Sequence, residues 1–260
     1  EIAEDKSKTI EALSQMQGGL GQQLQSYMQF YWGGIVEGTA GPAYAGIVIL
    51  VLALFSLFVI KKEQRIWILA LFAFSILLSY GKYLNGFNYW MLDHLPIYNK
   101  FRAPSMIGVL QVFLINFTAL LGIKEVFENK STTNYLPAFK KGLVTVGALF
   151  IMVVVFYTMS DFQGEADKAL VKQASQIKET QIQAAVYQFT NALSEDRKTI
   201  LLDSLTRSLL FAGITLLLLW SFLTKKLSFL NYKVILIALA FLGLVDLMGV
   251  NTTYLSSDSY

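Results

Sequence analysis

Residues 84–105 read Leu-Asn-Gly-Phe-Asn-Tyr-Trp-Met-Leu-Asp-His-Leu-Pro-Ile-Tyr-Asn-Lys-Phe-Arg-Ala-Pro-Ser, a stretch unusually rich in chemically able side chains. Asp93 and His94 are adjacent, and Lys100 and Arg102 lie two apart just before Pro104. Arg102 offers a planar, permanently charged fork of donors that fits phosphate or carboxylate, whereas Lys100 is a point charge. At a membrane edge the same two residues would instead snorkel, with apolar stems and charged tips. Arg102 is also placed to pair with Asp93 or Asp246. Tyr31-Trp32-Gly33-Gly34 forms a second block. Tyr and Trp favour the lipid headgroup zone, and an aromatic, glycine-rich loop can equally lay rings against a sugar. Arg102, Lys100, His94, Asp93, Trp32, Tyr31 and Asp246 make up the candidate substrate-binding set; none is assigned as catalytic.

Other chemistry is excluded by composition. There is no Cys, which removes disulfides, thiolate catalysis and Cys-ligated metals. His94 is the one histidine, so no two-His metal site exists. No metal site is expected and no cofactor is assigned. Gly33, Gly34, Gly38 and Gly41 cluster ahead of an apolar run with no strand before them, which is the wrong setting for a phosphate-cradling loop.

The elements that must carry these residues are six apolar runs, 43–60, 66–83, 106–123, 143–159, 208–224 and 234–250. Each is seventeen or eighteen residues long, at the short end of the roughly 17–25 that cross hydrocarbon as a helix. They are apolar all round, unlike the helices of a soluble core. Asp246 is the one ionisable residue within a run and away from its last few positions. A carboxylate at mid-bilayer costs about 2.5–3.5 kcal/mol, so Asp246 is expected to hydrogen-bond structurally or to face a polar cavity. Gln111 and Asn116 in the third run are expected to bond between helices.

Charge gives an orientation. The short joins after the first, third and fifth runs hold ten basic and three acidic residues, a net +7, while the opposite face holds eleven and fourteen, a net −3. Short basic loops stay cytoplasmic. Both termini, the loop 84–105 and the segment 161–207 are therefore expected outside. The whole-chain charge of +3 records this topology, and no nucleic-acid footprint is read in it. Within 161–202, Leu170, Ala174 and Ile177, then Ile182, Val186, Phe189 and Leu193, recur at helical spacing. The five-residue step between the stripes predicts a kink near Gln181, and the stripes predict amphipathic helices. Asp203 and Arg207 are spaced to pair at i, i+4.

The expected organisation is an outer loop at 1–42, four spans over 43–160 with the outer loop 84–105, an outer helical insertion at 161–207, two spans over 208–250, and the start of an outer segment at 251–260. A polytopic chain beginning with Glu1 on the outer face is expected to be an interior piece of a longer protein.

Tyr31-Trp32-Gly33 with Thr39-Ala40-Gly41-Pro42-Ala43-Tyr44, Leu95-Pro96 through Asn99-Lys100-Phe101-Arg102-Ala103-Pro104-Ser105, and Val245-Asp246-Leu247 leading to Tyr254-Leu255 together resemble the YfhO family of bacterial polytopic membrane proteins, in its Bacteroidetes-type form. The resemblance covers nearly the whole chain in order, and the Phe-Arg-Ala-Pro block is its most specific part. It departs at Gly34, where an acidic residue is expected, with Glu37 as the substitute on offer. The resemblance implies an all-α, GT-C-like membrane fold in the bacterial inner (cytoplasmic) membrane. It also implies transfer of a sugar from a polyprenyl-phosphate donor to a cell-envelope acceptor. The catalytic acid of such proteins lies in a first outer loop that this chain does not contain, and Arg102 is the residue placed to hold donor phosphate. The alternative from another class is a non-catalytic lipid or polysaccharide transport module or scaffold.

Overall fold

The computed structural model describes residues 7–16, 19–30, 44–94, 96, 104–128, 132–225 and 232–254. All regular structure among them is helical. The α-helices are α1 (Lys8–Gln15), α2 (Gly19–Ser26), α3 (Ile47–Ser56), α4 (Lys62–Ser79), α5 (Asn85–His94), α6 (Gly108–Glu128), α7 (Leu136–Met159), α8 (Glu165–Ala174), α9 (Thr180–Thr224) and α10 (Tyr232–Tyr254). Four helical stretches are long and apolar enough to cross a membrane: Gly108–Glu128, Thr132–Met159, one within Thr180–Thr224, and Tyr232–Thr252. Their apolar side chains are largely uncovered, with Val144 and Ile237 each 70% exposed. Water would penalise apolar surface on this scale, so the pattern fits a lipid environment.

The chain divides into two units. Unit 1 comprises Glu1–Ala40 and Phe150–Ser208. Its core is Leu24 of α2, Ala174 of α8, and Val186, Phe189 and Leu193 of α9. These come from the apolar stripes of the insertion, folded onto the N-terminal segment, with Leu170 packed beside them; Ile177, expected in the first stripe, is exposed in the turn after α8. The break between the stripes falls at residues 175–179, slightly before Gln181, where the chain turns between α8 and α9. Nothing stops α9 after it starts: its interior has no proline, and its first glycine is Gly213. The insertion and the fifth apolar run are therefore one helix, and the boundary expected at 207 lies inside it. Residues 1–42, expected as a loop, contain α1 and α2. Ser7 caps α1 by accepting from the Ile10 amide at 3.3 Å, and Ala12 and Leu24 supply buried faces.

Unit 2 comprises Gly41–Leu149 and Leu209–Tyr260, with α3 in its core. Val48, Leu52, Ala53 and Phe55 of α3 pack with Ala119 and Val126 of α6, Phe139 of α7, Leu219, Phe222 and Leu223 of α9, and Ile235 and Leu239 of α10. Glycines let backbones approach at two points. A Cβ at Gly122 would stand 2.2 Å from the Ser56 Cβ, and one at Gly142 would stand 3.1 Å from the Phe55 Cα. Close approach at small residues is how helices gain packing energy in lipid, where the solvent gives no hydrophobic drive between them. Gln111 does bond between helices, donating to Ser79 Oγ at 3.3 Å. Asn116 does not follow that expectation: its amide donates to the Val112 carbonyl one turn back on α6, at 2.8 Å.

Among the described residues of the first apolar run, 44–60, only the ten of α3 are α-helix. At about 1.5 Å per residue that is about 15 Å, half of the roughly 30 Å of hydrocarbon. The stretch 84–105, expected as a loop, contains α5, and Pro104 opens the 3₁₀ turn that leads into α6.

Candidate functional site

Asp246 sits on α10 and is fully buried. Its Oδ2 accepts the Ile47 N–H at 2.6 Å, and its Oδ1 accepts the Tyr44 hydroxyl at 2.7 Å. Ile47 is the first residue of α3, so this N–H is one of the helix-end donors that no carbonyl within the helix can satisfy. The negative carboxylate also meets the positive end of the helix dipole. Gly46 makes the approach possible. Its φ of +88° is costly for any residue with a Cβ, and a Cβ there would crowd Asp246 Oδ2 at 3.2 Å. Of the two roles expected for Asp246, structural hydrogen bonding is the one these contacts display.

Asp93 and His94 occupy the last turn of α5 and are both exposed. The His94 ring stacks on Trp90, with centroids 4.9 Å apart and planes 17° from parallel. His94 Nδ1 lies 2.9 Å from the Trp90 carbonyl, so Nδ1 carries the proton in the neutral ring and Nε2 is left as the acceptor. No hydrogen bond or ion pair among the described residues joins Asp246 to Asp93 or His94. Tyr31, Trp32, Lys100 and Arg102 lie outside the described residues.

Unit 1 holds two polar constellations that the sequence reading missed. Arg197 on α9 forms a buried ion pair with Asp167 on α8 and donates to the Phe162 carbonyl at 2.7 Å. Asp167 Oδ2 also accepts the Gly164 N–H at 2.6 Å, closing the start of α8. A buried charge is tolerable when paired and hydrogen-bonded in this way. The signal was present in the register: Arg197 falls four residues beyond Leu193 and so continues the buried stripe.

The second constellation centres on Asp196, which is buried. It accepts the Ser7 hydroxyl at 2.7 Å, the Lys8 N–H at 2.9 Å and the Thr9 N–H at 3.1 Å, anchoring the start of α1 on α9. Beside it Lys8 pairs with Glu195, whose hydrogen bond and charge raise the Lys8 pKa. Lys8, Glu11, Gln15, Gln188, Asn191 and Glu195 line a shallow open groove of about 430 Å³ between α1 and α9.

On the loop before α8, Asp161 pairs with Lys168 at 2.8 Å. The hydrogen bond from Lys168, then that from the Gln163 N–H, holds its carboxyl below the usual range. Burial pushes the Tyr27 hydroxyl up, and the Asp167 charge adds to the shift. Among the described residues no three carboxylate or imidazole groups converge to hold a metal ion.

The described residues thus define an all-helical membrane fold, with four helices among them long and apolar enough to cross a membrane. No protein-family model, curated protein or solved structure matches the chain.

Proposed function

We propose that this chain is the membrane-embedded part of a GT-C-type glycosyltransferase in the bacterial inner membrane. The enzyme would pass a sugar from a polyprenyl-phosphate donor to an acceptor on the outer face. The observation that carries this reading is the placement of Asp93 and His94, exposed at the end of α5, directly ahead of the Lys100-Phe101-Arg102-Ala103-Pro104 segment that leads into α6. Transfer from a lipid phosphate needs cationic help for the departing phosphate and a carboxylate to deprotonate the acceptor hydroxyl. Arg102 is suited to the first task, and no residue of this chain is assigned to the second.

The proposal includes six spans. The run containing α3, then α4, add to the four long helices, and the basic joins face the cytoplasm. Single cysteines at Ser131 and Ser175 then label from opposite sides with an impermeant thiol reagent; outside labelling of Ser131→Cys removes this topology.

The functional test is paired in the full-length protein. Arg102→Lys keeps charge but loses the bidentate fork, so sugar transfer falls at least tenfold while the melting temperature holds; Lys100→Arg is mild. Full activity in Arg102→Lys, or a loss that tracks folded protein, discards the phosphate role. A second reading, a lipid or polysaccharide transport module, gains support from α3 itself. A half-length helix in the core whose N-terminus meets a carboxylate resembles the discontinuous elements that transporters use. Donor-independent movement of lipid-linked sugar in vesicles containing the full-length protein would favour it.

A further inference from the structure

The burial pattern of α5 is inverted relative to a helix in water. Its inward positions are Met91 and the polar Asn88, whose side chain turns back to donate to the Leu84 carbonyl at 3.3 Å. Its outward positions include Tyr89, 63% exposed, and Trp90, 56% exposed, followed by Leu92. Tyr83, 81% exposed, stands one turn before the helix. A water-facing helix would place Asn88 outside and these rings inside. The surroundings of this face are therefore less polar than water.

They are not hydrocarbon either. Asn85, Asp93 and His94 share the exposed surface, and a charged carboxylate is expensive in the bilayer core. The Tyr89 hydroxyl and the Trp90 indole N–H are also best served by polar surroundings. The zone that supplies both an apolar bed and polar edges is the headgroup layer, where Trp and Tyr concentrate.

Continuity points the same way. Trp67, Leu71 and Phe74 share one exposed apolar face of α4. The α5 helix joins α4 through one 3₁₀ turn and packs on it edge-to-face, Phe87 against Phe74, at 6.3 Å between centroids.

We propose that α5 is an interfacial helix seated in the bilayer headgroup layer, with Tyr83, Tyr89 and Trp90 as its anchors and the lipid surface as its partner. Unlike the donor-phosphate role of Arg102, this placement does not depend on any transfer chemistry.

The test uses a variant of the full chain in which Trp32, Trp67 and Trp220 are each replaced by Phe, leaving Trp90 as the sole indole. The protein is reconstituted in phosphatidylcholine vesicles carrying bromine either near the ester groups or near the chain midpoint. Trp90 emission is expected to be blue-shifted, and to be quenched at least twofold more by shallow bromine than by deep bromine. Three results overturn the proposal: water-like emission with full quenching by iodide, stronger quenching by deep bromine, or insensitivity to all quenchers because protein covers the ring.

Should the three replacements prevent folding, the lack of cysteine permits a second route. Tyr89→Cys, carrying a nitroxide in the otherwise unchanged chain, should show intermediate access to both oxygen and a water-soluble nickel chelate. Access to the chelate alone, to oxygen alone, or to neither overturns the interfacial placement.

Discussion

Asp246 and Ile47 are 199 residues apart in sequence, yet the carboxylate of one accepts the first backbone N–H of the helix begun by the other, at 2.6 Å. Removing the carboxylate leaves that part-buried N–H with only its longer bond to the Tyr44 hydroxyl, at 3.2 Å, at a cost of about 1–3 kcal/mol. Asp246→Ala is therefore expected to lower the unfolding midpoint of the detergent-solubilised protein clearly. Asp246→Asn should be milder, since its oxygen can still accept from Ile47 while Tyr44 turns to accept from its amide. Tyr44→Phe should cost about 1 kcal/mol, the worth of one ordinary hydrogen bond. An Asp246→Ala protein as stable as the parent would show that the cap contributes nothing.

The buried pair Asp167–Arg197 gives a different signature. Losing either partner leaves a charge without its counterion, at a cost of about 3–5 kcal/mol. Asp167→Ala and Arg197→Ala should each destabilise strongly, whereas Asp167→Leu combined with Arg197→Met should recover most of the loss. A double-mutant cycle by chemical denaturation reads the coupling, and strict additivity would contradict a functioning pair.

The pH response of unit 1 follows from Asp161, whose carboxyl is held down by Lys168 and the Gln163 N–H. A depressed folded-state pKa stabilises above the unfolded value, about 3.9. That contribution fades as pH falls through the folded value. The protection factors of the α8 amides, taken against the intrinsic exchange rate at each pH, should accordingly fall on acidification below about pH 4. Asp161→Asn should exchange faster at neutral pH and lose part of that pH dependence. An unchanged profile in Asp161→Asn would remove Asp161 from the account.

Three glycines rank by the space around them. Gly122→Ala drives a methyl into Ser56, Gly142→Ala meets Phe55 at 3.1 Å, and Gly147→Ala meets nothing within 4 Å. The order of destabilisation should be Gly122, then Gly142, with Gly147→Ala neutral or slightly stabilising from helix propensity. For the first, about 1–3 kcal/mol is the usual scale of overpacking. Thermal unfolding of the three variants checks the order; a neutral Gly122→Ala would mean that the α3–α6 crossing is looser than its geometry.

Much of this architecture was legible because hydrocarbon imposes simple rules. Uninterrupted apolar length marked α6, α7 and α10, and the spacing of Val186, Phe189 and Leu193 marked the buried stripe of α9. Asp246 stood out as a lone acid, but its partners, Tyr44 and a backbone amide, leave no trace in local sequence. The polar N-terminal segment hid α1 and α2, because short helices draw their stability from tertiary packing more than from propensity. Asp93 and His94 were found as reactive types, whereas the stacking of His94 on Trp90 and the inverted face of α5 required coordinates.

The placement of α3 also bears on biogenesis. A ten-residue apolar helix, about 15 Å long, covers by itself only about half of the roughly 30 Å of hydrocarbon that its run has to cross. Its capping group belongs to α10, 199 residues later in sequence, so it emerges from the ribosome long after α3 does. The first apolar run therefore gains this cap only after α10 has been made. Nascent chains released before residue 232 should be clients of membrane quality control, however well their later spans insert.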